Sequence, residues 1–278
     1  MRPIVHAPTP LVLTGILLLG YAPAQQANSE KHVNDIRAEQ PFKVISASPL
    51  CQQVRAKDES IIDRREVDPA TLEKDLSVLI QKSDEVVVAI LTDNVSVIAP
   101  SGDRAVLYYD ARILRSWKGT HKPGDVLTFS MPRAALSCGS EPGDDRPSMA
   151  FFTMTGGLEW DSFGASPVAL FLRQSRGEES RFTPGLRPTG GGGMQGLFGL
   201  NSKLDRDCYG LANSRSVCNA RLDLSQEKVK VPYRRDPLRQ KYEGMPVPTF
   251  LREVQSTAEA LANSGQPTDT KLQSRKRP

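Results

Sequence analysis

SDEVVVAILT (83–92), AVLYYDARILRSWKG (105–119), DVLTFSM (125–131) and SPVALFLRQ (166–174) are the runs that decide the fold. Each is short and rich in β-branched or aromatic residues, and Gly, Pro, Asp and Ser cluster between them. Such spacing reads as a small, strongly curved antiparallel sheet or barrel. Val86, Val87 and Val88 follow one another without a polar break, which predicts a strand covered on both faces. In the second run Leu107, Tyr109, Ala111 and Ile113 share one side, with Asp110 and Arg112 on the other. Leu127, Phe129 and Met131 alternate with Thr128 and Ser130 in the third, which Lys122-Pro123-Gly124-Asp125 turns into place.

Working outward, the strands are predicted at Glu85–Thr92, Ala105–Ser116, Val126–Met131 and Val168–Leu172, with a loop over Asn94–Asp103. SMAFFTM (148–154) reads as a further strand, Gly196–Leu200 as a short apolar run, and Lys228–Val231 as an edge strand ended by Pro232. A helix is predicted from Asp68 as N-cap and Pro69 at the first helical position to Lys82, with Leu72, Leu76, Leu79 and Ile80 as its apolar stripe. Another opens at Thr249, with Phe250, Leu251, Val254, Ala258 and Leu261 on or near one face and Gly265 just beyond it. The fold class is therefore α+β: a small antiparallel OB-like β-barrel, at about 84–231, flanked by an N-terminal and a C-terminal helix. The barrel and its helices occupy 67–262, after an irregular N-terminal extension over 25–66 and before a basic disordered tail over 263–278.

The first residues carry an address. Arg2 supplies a positive start, Leu11–Gly20 is an apolar core of signal-peptide length, and Ala22-Pro23-Ala24 offers small residues before a cleavage point at Gln25. Residues 1–24 are read as a signal peptide, and the location as secreted or periplasmic. The apolar run falls short of the roughly 20 residues that span a membrane. No Cys follows it closely, which argues against a lipid anchor. Cys51, Cys138, Cys208 and Cys218 form an even set, for which three pairings exist, and in an oxidising compartment they read as disulfides. Cys208 and Cys218 share one polar loop and pair most easily, which leaves Cys51 to Cys138. Zinc is disfavoured: the four cysteines are not closely spaced, and cleavage leaves His32 and His121 as the histidines. Neither a metal nor a cofactor is expected.

The formal net charge of +4 is concentrated at the ends. Arg2 leaves with the signal peptide, and Lys271, Arg275, Lys276 and Arg277 stand in the tail against Asp269, so the body from Gln25 to Ala262 carries no net charge. A nucleic-acid partner would call for a basic folded face and is not expected.

A resemblance rests on five short features. Asp84 before the first strand, Lys118-Gly119 closing the second, Gly124-Asp125 opening the third, Cys138-Gly139, and Leu170-Phe171-Leu172 follow the order of a known pattern. In these the chain resembles bacterial exported proteins with a netrin-like domain, the OB-type five-stranded barrel shared with tissue inhibitors of metalloproteinases. YEGMPVPTFLREVQSTA (242–258) is similar to the closing segment of such proteins. The resemblance covers about half of the chain left after cleavage. Inhibitors of that group chelate zinc through a Cys at the mature N-terminus, whereas here that start is Gln25 and the first Cys is Cys51. Their mechanism does not carry over, since function belongs to sites rather than folds.

No other stretch assembles a reaction centre. His121 in GTHKPGD reads as an exposed turn residue, and no Gly-x-Ser-x-Gly elbow surrounds a serine. Gly190–Gly193 lacks the Lys-Ser or Lys-Thr of a phosphate loop and reads as flexible. Glu141 with Asp144-Asp145 lacks calcium-loop spacing and reads as a solvated acidic loop. Glu159 and Asp161 sit too symmetrically for an acid and a base; Trp160 between them, with Phe163, is the candidate binding surface, or a plug for the barrel end. The expected function is that of an exported non-catalytic binding module recognising a protein or cell-envelope component, with no catalytic residues. The alternative is a secreted hydrolase with an unrecognised active site; a third reading is a structural module whose tail touches anionic surfaces.

Overall fold

The computed structural model describes residues 31–139, 149–155, 167–200 and 224–264. The expected signal peptide, Trp160, Phe163, Cys208, Cys218 and the basic tail from 265 onward lie outside these residues, as do Glu141, Asp144, Asp145, Glu159 and Asp161.

Three short helices open the described chain, α1 (Val33–Glu39), α2 (Phe42–Ser46) and α3 (Pro49–Lys57), followed by strand β1 (Ile61–Arg65) and helix α4 (Leu76–Lys82). The strands continue as β2 (Glu85–Ile98), β3 (Ala105–Lys118), β4 (Val126–Met131), β5 (Ala134–Ser137), β6 (Ala150–Thr155), β7 (Pro167–Gln174), β8 (Leu186–Pro188) and β9 (Leu197–Gly199). Helices α5 (Arg239–Tyr242) and α6 (Val247–Ser264) complete the described chain.

The order β2-β3-β4-β8-β7, with β7 paired back onto β2, closes a five-stranded barrel. It is mixed: β4 and β8 run parallel through Phe129 and Leu186, and the other seams are antiparallel. The unbroken valine run explains how the wall is covered. Val87 and Ala89 join Leu127, Phe129, Val168, Leu170, Leu172 and Leu186 in one core cluster, the barrel interior. Val86 and Val88 point outward with Ala169 and Phe171, beneath Leu79 and Ile80 of α4 and Phe250, Leu251 and Val254 of α6. Both faces of this wall are buried, as the sequence predicts.

A second sheet, β1-β6-β5, packs with α3 around Leu50, Cys51, Val54, Leu136 and Phe151. The Cys51–Cys138 disulfide forms inside that cluster. Over its described residues, from 31, the expected irregular extension is thus three helices and a strand, a correction with a local cause. Ser48 accepts from the Cys51 amide and Pro49 occupies the first turn of α3, the same start signals that mark Asp68-Pro69.

Three further expectations change. The helix predicted from Asp68 to Lys82 is a single 3₁₀ turn, Pro69–Thr71, and then α4. Between them Gln195 grips the Glu73 backbone, its Oε1 accepting from the Glu73 amide at 2.7 Å and its Nε2 donating to the Glu73 carbonyl at 2.5 Å. A tertiary contact takes the hydrogen bonds a continuous helix would use. The loop expected over Asn94–Asp103 is shorter, because β2 pairs with β3 as far as Ile98 and Ala105, under cover of Ile36 from α1. The edge strand at Lys228–Val231 reduces to the isolated bridges Gly199–Lys230 and Lys228–Pro246.

Candidate functional site: an arginine-lined cleft on the barrel wall

Strand alternation puts Arg173 and Arg187 on the outer wall. Leu170 and Leu172 of β7 and Leu186 of β8 face the interior, so Arg173 and Arg187 face out. Antiparallel pairing sets the two directly opposite each other. Both line a cleft of about 460 Å³, together with Lys82, Asp84, Gly190, Gly191 and Gly192.

One carboxylate serves both guanidinium groups. Glu179, on the 3₁₀ turn Gly177–Arg181, accepts through Oε1 from Arg173 Nη2 at 2.6 Å and lies 3.2 Å from Arg187 Nη1. The Arg187 side chain is only 8% exposed, and its buried Nε has no partner among the described residues. Burial holds Arg187 below the usual guanidinium range; Glu179 opposes that shift and the Arg173 charge adds to it. The Glu179 carboxyl lies below the ordinary glutamate range: burial pushes it up, but the Arg173 hydrogen bond and the Arg187 and Arg173 charges outweigh burial.

The glycine run also lines the cleft. It is a tight turn with Gly192 and Gly193 at positive φ and with Gly191 and Gly193 buried, packed on Thr71, Leu72 and Val67, rather than the expected flexible loop. At Gly193, φ is +69° and a Cβ would come within 2.6 Å of Arg187 Nη2, so a side chain is excluded where the guanidinium needs room. Elsewhere in the cleft Lys82 pairs with Glu73 at 2.7 Å, and Asp84 accepts from the Gln174 amide at 2.7 Å. Arg176 is exposed at the rim and forms no ion pair among the described residues.

Each described histidine lies beside a buried carboxylate, away from this cleft. His121 Nδ1 is 3.0 Å from Glu85 Oε1, which also accepts from the Thr120 amide at 2.9 Å and the Thr120 hydroxyl at 3.1 Å. With its side chain 18% exposed, His121 is not the exposed turn residue expected from sequence. Gly119, at φ +113°, lies so close above Glu85 that a Cβ there would fall 1.9 Å from Oε2. His32 Nδ1 is 3.8 Å from Asp110 Oδ1, and the Thr128 hydroxyl donates to that oxygen at 2.6 Å. Asp110 also accepts from the Val33 amide, so this cluster anchors the start of α1 to the barrel.

The structure places Cys51 and Cys138 together, and nothing is described of Cys208, Cys218, Trp160 or Phe163. Sequence reasoning passed over Arg173, Arg187 and Glu179. The available signal was a charged residue interrupting apolar strands in FLRQ and GLRP, next to a glycine run. Among the described residues no group of His, Cys, Asp and Glu is arranged to hold a metal, and no helix is long and apolar enough to cross a membrane. No protein family, curated protein or solved structure matches the chain.

Proposed function

We propose that this is an exported, non-catalytic binding module of netrin-like architecture, which recognises a protein or cell-envelope component through the arginine-lined cleft. The observation that carries the reading is the opposed pair Arg173 and Arg187, held by a single carboxylate. Like charges facing each other across a seam cost stability, and a local rule broken at a cleft is where function is sought. Export is supported by the signal-like start and by the Cys51–Cys138 disulfide, a bond typical of oxidising compartments. The closed five-stranded barrel is consistent with the netrin-like reading.

The hydrolase alternative draws on the Glu85–His121 pair, since a buried carboxylate beside an imidazole is how a general base is oriented. Against it, Glu85 Oε1 is also engaged by both Thr120 donors and the pair lies apart from the cleft. Affinity capture from envelope extract separates the two. Wild-type protein and His121→Gln should retain the same partner, and Arg173→Ala/Arg176→Ala should lose it. Capture that survives the double arginine substitution removes the binding reading at this cleft.

A further inference from the structure

We infer that the cleft takes a carboxylate group of its ligand, and that Glu179 occupies the place of that carboxylate in the free protein. The inference rests on the binding reading above. Three observations lead to it. Arg173 and Arg187 already converge on one carboxylate oxygen, with Nη distances of 2.6 and 3.2 Å, so the pair is spaced for that group. Glu179 sits on a short 3₁₀ turn, and its side chain is 39% exposed, so it can turn away into solvent. Arg187 cannot follow: it is 92% covered, wedged against Gly193, and its Nε is unsatisfied among the described residues.

The group the pair already holds selects the ligand class. Once Glu179 has turned away, Lys82, Arg173, Arg176 and Arg187 line the cleft against Glu73 and Asp84, a positive excess that calls for an anion. A ligand carboxylate fills the place Glu179 leaves and meets the same two Nη groups, whereas a neutral amide brings no charge to them. Arg176 at the rim, with no ion pair among the described residues, is the cation placed to meet the incoming group first.

The test titrates the folded protein with three probes: N-acetylalanine, the neutral N-acetylalaninamide and inorganic phosphate. Wild-type protein should bind N-acetylalanine weakly and the amide not detectably. Glu179→Gln, which keeps the shape and removes the competing charge, should bind the carboxylate about tenfold more tightly. Arg176→Glu, an exposed substitution that leaves the fold intact, should abolish the gain. Equal binding of the amide, preference for phosphate, or no tightening in Glu179→Gln would overturn the inference. If those results came together with partner capture still lost in Arg173→Ala/Arg176→Ala, the binding reading would stand and only the ligand class would fall. Capture indifferent to the arginines would fell both.

Discussion

Arg173 and Arg187 stand directly opposite each other across the β7–β8 seam and share one oxygen of Glu179. Two cations in that register repel, and the shared carboxylate offsets the repulsion. Glu179→Ala should therefore lower stability at neutral pH by roughly 1 kcal/mol, a modest figure because solvent screens so exposed a carboxylate. The sign with pH follows from its carboxyl lying below the ordinary range. Its contribution is present above the unfolded glutamate range and is lost as pH falls through the folded value. Thermal melts should show the wild-type advantage over Glu179→Ala at pH 7 shrinking at pH 3; a difference independent of pH would contradict this.

Glu85 and its lid behave as a packed unit. His121→Ala removes one of the contacts to a buried carboxylate and should cost about 1–3 kcal/mol. Gly119→Ala forces a methyl into Glu85 at a positive φ and should cost more, about 3 kcal/mol. Urea unfolding of the two variants would check the order. A His121→Ala protein as stable as wild type would return that residue to the exposed turn expected from sequence.

Asp236 should destabilise the fold when ionised. Burial pushes its carboxyl up to about 6, opposed by the hydrogen bonds from the Leu238 amide and Gln195. A raised carboxyl contributes stability that is complete below the unfolded value, near 3.9, and disappears as pH rises through about 6. Asp236→Asn should be more stable than wild type at pH 7.5 and should lose that advantage by pH 4. Denaturation at the two pH values measures it, and an advantage equal at both would refute the assignment.

Reduction should loosen the N-terminal layer. Cys51 and Cys138 are 87 residues apart, and a closed loop of that length is worth roughly 4–5 kcal/mol in the chain-entropy description. The Cys51→Ala/Cys138→Ala protein should melt at lower temperature, with early proteolysis in α2 and α3. Non-reducing peptide mapping should recover the Cys51–Cys138 link, and a pairing of either cysteine with another partner would contradict the structure.

The strands were legible from two kinds of pattern: Val126–Met131 alternates and has the predicted bounds, and the unbroken valine run at Val86–Val88 announced two covered faces. The break before α4 was not legible, since it depends on Gln195 reaching Glu73 from far along the chain. The N-terminal helices were half legible. Ser48-Pro49 carried a start signal inside the run FKVISASPL (42–50), but the polar sequence on either side of that run showed no clear periodicity. The arginine cleft was hidden for another reason. Register, not spacing, sets Arg173 opposite Arg187, and register depends on how β7 and β8 pair.

Hydrogen–deuterium exchange of the protein with its captured partner tests the central claim most directly. Binding at the cleft predicts slowed exchange at Lys82–Asp84, Arg173–Glu179 and Arg187–Gly192, the segments that line it. Protection confined to other surfaces, with these three segments exchanging as in the free protein, would contradict the account.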